Sequence, residues 1–157
     1  MAPIHDAARD ASVETLRRLL EEGVSPDTEQ EQCEEYREGG TPLFIVLYFF
    51  LFKKSTRDDR VACVKLLIEA EANLDATNYR ASTALHYATL NEDATIMSLL
   101  IKAGANVDAV DDHGWTALHF ATGVDCVEVL LDAGASPNLR SFDGETPFDV
   151  SLSKEDY

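Results

Sequence analysis

The chain has 157 residues, 45% of them hydrophobic, and a formal net charge of −16 at pH 7. This length suffices for one domain with a sizeable core, and no Pro/Gly/Ser-rich tract divides the chain. The acidic balance argues against nucleic acids and anionic membranes as ligands, because both repel a negative surface, and it favours a partner protein with a basic surface.

An internal repeat dominates the sequence. Thr-Ala-Leu-His-aromatic-Ala-Thr occurs at residues 83–89 and again at 116–122, a step of 33 residues, and each copy is followed by Leu-Leu and then Gly-Ala. These motifs resemble the ankyrin repeat, and a period of this length is typical of stacked repeat units. The resemblance implies an all-α ankyrin-repeat solenoid of stacked helix-turn-helix units with projecting hairpin loops. It predicts one domain over residues 1–157, with repeats at about 2–27, 40–75, 82–108 and 115–138 and a half-repeat at 145–157.

The first repeat begins with Pro3-Ile4-His5, which matches the signature with Ile in place of Leu. Apolar residues between Val13 and Leu20 recur at helical spacing, which predicts a second helix with one apolar face. Gly23 stands where a helix needs a left-handed residue just after its C-terminus. The charged residues on the opposite face are expected of an N-terminal unit that meets water.

Residues 28–39 form an acidic insertion in the first hairpin. The step from Asp27 to Thr41 is 14 residues, whereas the equivalent step from Asp108 to Thr116 is 8. A like-charged, polar segment of this kind is usually a solvated loop. The alternative is an acidic patch that meets a basic partner.

The second repeat contains ten consecutive apolar residues, from Leu43 to Phe52. Ten residues are too few to span a bilayer, which needs ~20. The run is either a core helix between neighbouring repeats or, through its aromatic residues from Tyr48 onward, an exposed ledge for a partner. Nine extra residues in this repeat predict a lengthened first helix and a basic loop from Lys53 to Arg57.

Two residues with side chains, Glu71 and Ala81, stand at positions where the later repeats carry glycine. In the ankyrin family both positions usually have positive φ, which costs a residue with a Cβ on the order of 1 kcal/mol. We therefore expect backbone strain at the junction between the second and third repeats.

The third and fourth repeats match the signature best, and their second helices are predicted at Ile96 to Ala103 and at Val124 to Leu131. The fourth repeat is two residues short, which predicts a tight interhelical turn at Gly123 and Val124. A fifth unit opens at Gly144 to Ser151 in the T-P-L-D form. It is either a C-terminal cap or the beginning of further sequence.

Three histidines, His5, His86 and His119, fall at the signature position. In the family this imidazole hydrogen-bonds to the signature Thr and to backbone between repeats, so we interpret all three as buried structural residues. They recur about one repeat apart, which predicts no metal cluster. The sequence lacks the nucleophile elbow, the Walker loop and the dinucleotide fingerprint. We therefore expect no cofactor, no catalytic residues and no enzyme activity.

The cysteines Cys33, Cys63 and Cys126 are widely spaced and form no CxxC pair, which predicts neither a disulfide framework nor a zinc site. Cys63 and Cys126 lie in predicted second helices, where a small core residue is expected. The first residues lack the basic and apolar regions of a secretory signal. A cytoplasmic or nuclear location is the simplest interpretation.

The resemblance also implies where a partner binds. In an ankyrin stack the hairpins and first helices form one concave surface, and its variable positions carry aromatic and Arg residues, which dominate interface hot spots. The predicted partner-binding residues are Tyr79, Arg80, Ser82, Tyr87, Asp112, His113, Trp115, Phe120, Phe142, Asp143 and Glu145.

The sequence thus predicts a monomeric, non-catalytic module that binds a partner protein, with no role in nucleic-acid or membrane binding. Two alternatives stay open. One is a targeting or adaptor segment of a larger protein, such as a ubiquitin-ligase adaptor or a pathogen effector. The other is a small ankyrin-type kinase inhibitor, an analogy from fold and length alone.

Overall fold

The structure is a computed structural model that describes residues 3–29, 40–48 and 56–154. The regular elements of these residues are helices, which confirms the all-α prediction for this part of the chain. The helices are α1 (Pro3–Arg9), α2 (Val13–Glu21), α3 (Pro42–Tyr48), α4 (Arg57–Glu69), α5 (Ala84–Leu90), α6 (Ala94–Lys102), α7 (Ala117–Phe120), α8 (Val124–Asp132) and α9 (Pro147–Lys154). Among the described helices, none combines the length and the apolar character that crossing a membrane requires.

The helices form two layers. The odd-numbered helices pack side by side from α1 through α3, α5 and α7 to α9, and the even-numbered helices form a second row from α2 to α8. Each odd helix from α1 to α7 also packs against the even helix that follows it. The fold is therefore a stack of two-helix units, as the internal repeat predicts.

The core lies between the two rows and uses the same repeat positions in each of the first four units. One is the signature Leu position of the first helix, and the other lies four residues before the left-handed turn that ends the second helix. The buried residues at these positions are Ile4, Leu43, Leu85 and Leu118, followed by Leu19, Leu67, Leu100 and Leu130. Burial of one such side chain contributes about 1.5–3 kcal/mol to the free energy of folding. Because each unit contacts only its neighbours in the stack, packing between units is the main source of its stability.

The apolar run of the second repeat is core as far as it is described. Leu43 to Leu47 are all buried and Tyr48 is half-buried. Residues 49–55 lie outside the described part of the chain, so the ledge alternative stays untested there. The same is true of the acidic insertion from residue 30 onward.

The second helix of this repeat begins earlier than predicted. Helix α4 has 13 residues, whereas α6 and α8 have 9 each, and the additional turn lies at its N-terminus. The Thr56 N–H donates to Asp59 Oδ2 at 3.2 Å, and the Asp59 N–H donates to Thr56 Oγ1 at 3.1 Å. The prediction of a loop through Arg57 was therefore wrong at its end, because Thr56 and Asp59 form a capping box that begins a helix.

The fourth repeat is two residues short, and the residues are missing from its first helix and the turn that follows it. Helix α7 has four residues, whereas the equivalent α5 has seven. Ala121 leaves the helical region with φ −63° and ψ 124°, and Gly123 then caps α8. The turn therefore lies before Val124, which is the first residue of α8, and not at Val124 as predicted.

Helix α8 leaves two of its apolar residues exposed. Val124 is 71% exposed and Leu131 is 44% exposed, whereas Cys126 and Leu130 are buried. The reason is the place of α8 in the stack. It packs against α6 and α7, and the described part of the chain provides no even-numbered helix on its other side.

The predicted backbone strain is present. Glu71 has φ 60° and Ala81 has φ 56°, both in the left-handed region. Two further non-glycine residues, Ala11 with φ 46° and Glu92 with φ 54°, lie between the two helices of their units and were not predicted. Strain is therefore distributed over the first three units and is not confined to one junction.

The last helix is capped like the earlier ones but is less covered. The Thr146 N–H donates to Asp149 Oδ2 at 2.9 Å, and this bond, with that from the Thr146 hydroxyl, lowers the pKa of Asp149 below its usual value. Phe148 occupies the signature Leu position, yet it is 67% exposed, whereas Leu118 is buried. Helix α9 therefore packs against α7 while leaving an apolar side chain in water.

Candidate functional site

Three hairpin fingers project from the stack at residues 78–82, 111–115 and 141–145. In each finger the N–H of the first residue donates to the carbonyl of the fifth, at 3.1, 2.9 and 2.8 Å in chain order. Each finger is followed directly by the Thr that precedes the next odd-numbered helix. The fingers and the odd-numbered helices therefore belong to one continuous surface.

The side chain of the first residue fixes each finger from inside. Asp111 is buried, and its Oδ1 accepts the N–H groups of His113 and Trp115, both at 2.9 Å. Asn78 does the same in the finger at 78–82. Such Asx turns satisfy the tip backbone locally, which holds the projecting side chains in place.

Neighbouring fingers are hydrogen-bonded to one another. The Asp112 N–H donates to the Arg80 carbonyl at 2.9 Å, and the Phe142 N–H donates to the His113 carbonyl at 2.9 Å. In both pairs the second residue of a finger donates to the carbonyl of the third residue of the finger before it. The three tips form one rigid row whose third residues are Arg80, His113 and Asp143.

A groove of about 400 Å³ lies between these fingers and helices α5 and α7. It collects eight of the eleven residues predicted to bind a partner, although the prediction used only their positions in the repeat. These are Arg80, Ser82, Tyr87, Asp112, His113, Trp115, Phe120 and Asp143. The volume lies within the range of pockets that enclose a small ligand or one side chain of a partner.

The wall of the groove is aromatic. Trp115 and Phe120 lie with ring centroids 5.0 Å apart at 60°, and Trp115 stacks on the ring of His119 at 6.0 Å. Tyr87 enters from α5 and meets the ring of Phe44 edge-on at 4.6 Å. Because each ring packs on another ring, the wall is held rigid before any partner arrives.

The rim of the groove is mostly acidic. Asp112 and Asp143 are exposed at the finger tips, and buried Asp111 adds a third carboxylate to the lining. Arg80 contributes one positive charge. His113 is exposed, with its Nε2 3.6 Å from a carboxylate oxygen of Asp112. Carboxylates outnumber the guanidinium, so the rim attracts cationic groups.

His86 also lines the groove but has a structural role. The Thr83 N–H donates to its Nδ1 at 3.0 Å, so the ring proton is on Nε2, which donates to the Trp115 carbonyl at 3.0 Å. Burial lowers the pKa of His86 below its usual 6.5, against the effect of the Trp115 carbonyl. Both ring nitrogens are thus engaged, and the bond to Trp115 ties one unit to the finger of the next.

The other signature histidines confirm this interpretation. His119 Nε2 donates to the Glu145 carbonyl at 3.1 Å, and His5 Nε2 lies 2.7 Å from the Thr28 carbonyl. Phe44 occupies the same position in the second repeat and cannot donate such a bond. That unit is joined to the next through aromatic packing on Tyr87.

The remaining predicted residues lie away from the groove. Tyr79 and Phe142 are exposed at the second position of their fingers, at 61% and 74%. Glu145 is half-buried, and its carbonyl accepts the bond from His119.

Ser82 lines the groove although it is only 5% exposed, and so it is less accessible to a partner than predicted.

Three residues that line the groove were not predicted to bind a partner: His86, Asp111 and Leu90. His86 and Asp111 are buried, so Leu90 is the missed residue that a partner can reach. Leu90 ends α5, is 56% exposed and lines the groove. It lies three residues after Tyr87, and residues three apart share a helix face. This spacing could have predicted Leu90 as a groove residue, because a groove lined by Tyr87 on α5 extends to the residue one helical turn away.

The groups with reactive potential are poorly placed for chemistry. Burial raises the pKa of the Cys63 thiol to about 12 and also raises that of Cys126, so both stay protonated at neutral pH. Within the described ranges, no cluster of His, Cys, Asp and Glu side chains could hold a metal ion. The arrangement can bind, and what it offers a ligand is aromatic surface, hydrogen bonds and negative charge.

Stacked two-helix units, fingers in register and a groove between fingers and inner helices define a solenoid repeat protein. The family model for ankyrin repeats, in three copies, matches residues 51–141, more than half of the chain. The chain therefore belongs to the ankyrin-repeat family, whose repeats are in general protein–protein interaction modules. No curated protein matches the chain.

Proposed function

We propose that this protein binds a partner protein through the groove lined by Trp115, Phe120 and Tyr87, without catalysing a reaction. One observation carries the proposal: eight residues chosen from repeat positions alone line a single groove of about 400 Å³. The rigid fingers support it further, because a preorganised surface loses little conformational entropy when it binds.

The proposal extends to where and in what form the protein acts. Cys63 and Cys126 are both free thiols in the interior, which is compatible with a reducing compartment such as the cytosol or the nucleus. We propose that the protein acts there as a monomer. A fluorescent fusion and light scattering of the purified chain test these two points.

Site-specific photo-crosslinking tests the binding function. A photoreactive phenylalanine analogue replaces His113 at the finger tip, because this side chain is exposed and lines the groove. The matched control carries the same analogue at Glu128, which is exposed on the outer helix α8. We expect discrete crosslinked proteins from the His113 position and not from the Glu128 position.

The Trp115→Ala variant completes the experiment. An aromatic anchor at the centre of an interface often contributes ~2 kcal/mol or more, so we expect the crosslinks from His113 to decrease strongly in this background. Circular dichroism verifies that the variant is folded. Identical crosslinks from both positions, or crosslinks that persist without Trp115, would contradict the proposed site.

A further inference from the structure

We propose that the ligand of this groove is an extended peptide segment of the partner that inserts a lysine or arginine side chain beside an apolar residue. This inference rests on the proposed binding function and specifies the chemistry of its site. The size of the groove, its aromatic wall, its charge and the apolar surface at its α5 end support it independently.

Size favours a single inserted side chain. A groove of about 400 Å³ is at the small end of ligand pockets. It is too small for a helix of about 10 Å diameter and large enough for one long side chain with its neighbour. The fingers at 78–82 and 111–115 are fixed by their Asx turns, and backbone bonds between the tips join all three fingers, so the groove does not widen easily. A partner must therefore present an extended chain.

The aromatic wall favours a cation. Trp115 and Phe120 line the groove with tilted rings 5.0 Å apart, and the faces of Trp and Phe attract an ammonium or guanidinium group. The methylene stem of Lys or Arg packs on the same rings while the charge stays near water. An acidic ligand side chain gains neither contact.

The charge of the rim favours the same ligand. Asp112 and Asp143 are exposed at the two finger tips that border the groove, and Asp111 lies beneath them. Arg80 offsets one of these three charges, so the lining is net negative. The chain as a whole, at −16, adds a long-range field of the same sign, which speeds encounter with a basic segment.

The α5 end of the groove supplies the apolar contact. Leu90 is 56% exposed and lies one helical turn from Tyr87, which is half-buried. Both side chains line the same groove as the acidic tips. An apolar residue next to the inserted Lys or Arg would cover Leu90, which the free protein leaves in water.

Selection from a library of random linear peptides displayed on phage, with the full chain as bait, tests the inference. We expect enrichment of peptides with Lys or Arg next to an apolar residue. Fluorescence anisotropy of the enriched peptides then measures affinity for the Trp115→Ala variant, for Asp112→Asn with Asp143→Asn, and for Glu128→Gln with Asp132→Asn. The last pair removes the same charge from exposed positions on α8 and is the matched control.

We expect the Trp115→Ala variant to weaken binding roughly 30-fold. The double substitution at Asp112 and Asp143 should weaken binding roughly tenfold at about 50 mM salt, and the control pair by much less. Peptides that require Trp115 but lack a basic residue, or that bind equally to the Asp112/Asp143 variant, would overturn the inference and leave the proposed function intact. If no selected peptide depends on Trp115, the inference fails, and the crosslinking from His113 decides the proposed function separately.

Discussion

Single residues hold backbone strain that the fold does not require. Glu71 and Ala81 have left-handed φ where later units carry glycine. We expect Ala81→Gly and Glu71→Gly each to raise the free energy of unfolding by roughly 0.5–1 kcal/mol. Relief of a Cβ clash worth about 1–2 kcal/mol exceeds the extra chain entropy that glycine brings to the unfolded state. Urea unfolding followed by circular dichroism measures the change.

The opposite substitution at Gly104 is the control for this prediction. Gly104 has φ 102°, and a Cβ added there would meet nothing within 4 Å. Gly104→Ala therefore tests the backbone conformation without a packing clash, and we expect it to destabilise by about 1 kcal/mol. Equal stability of Ala81→Gly and the parent chain would show that the strain is absorbed elsewhere.

Asp93 combines a helix cap with an ion pair between units. Its Oδ1 accepts the Ile96 N–H at 3.2 Å and lies 2.8 Å from Nη2 of Arg57, whose Nε also donates to Oδ2 at 3.3 Å. Burial by itself raises the pKa of Asp93, but the bonds from Arg57 and Ile96 and the charge of Arg57 lower it below its usual 3.8. The ionised form is therefore the one that stabilises the fold.

The pH dependence of Asp93→Asn tests this assignment. Asn keeps the cap and loses the charge, so we expect a loss of about 1 kcal/mol at neutral pH. Since the folded pKa is lowered, the stability difference is full above pH 3.8 and disappears as the pH falls through the lowered value. Asp132→Asn, at an exposed site on α8, is the control. A difference that is constant across this range would refute the role of the charge.

At the scale of the helix, equivalent positions differ in what covers them. Leu118 on α7 and Phe148 on α9 share the signature Leu position, but Leu118 is buried and Phe148 is 67% exposed. We expect Leu118→Ala to lower the free energy of unfolding by about 2–5 kcal/mol and Phe148→Ala by under about 1 kcal/mol. Chemical denaturation of both variants measures the contrast. Similar losses would mean that α9 is covered in solution.

The helices could be predicted because a repeat constrains many positions at once. The signature located α5, α7 and α9, and the histidine and Thr contacts of α5 and α7 followed the family pattern. What the sequence did not show was where insertions and deletions are absorbed. Thr56 caps α4, so Arg57 begins a helix instead of ending a loop, and α7 loses a turn, because capping and neighbour contacts decide helix ends.

The groove was only partly predictable for a similar reason. Repeat positions indicate which residues face the concave side, and eight of them do line it. Repeat positions do not indicate how deeply a side chain is buried, so Ser82 was expected to be more exposed to solvent than it is. They also did not identify Leu90. Burial depends on the neighbouring finger and helix, which the register of the stack determines and a single repeat does not encode.

For the whole molecule, the charge of −16 has two opposite consequences. Like charges on a compact body repel one another and reduce its stability relative to the expanded chain. The same field attracts a basic segment to the acidic tips at Asp112 and Asp143. One property of the chain therefore favours binding and opposes folding, and salt screens both effects.

We therefore expect NaCl to shift stability and binding in opposite directions. Raising it from about 0.01 M to about 0.1 M shortens the Debye length from about 30 Å to about 10 Å, which relieves self-repulsion and should raise the melting temperature by a few degrees. Glu128→Gln with Asp132→Asn starts from a smaller charge and should show a smaller rise. Over the same range the affinity for a basic peptide should fall, because its attraction to the rim is screened. A melting temperature that falls with salt would mean that ion pairs such as Arg57–Asp93 outweigh the net repulsion.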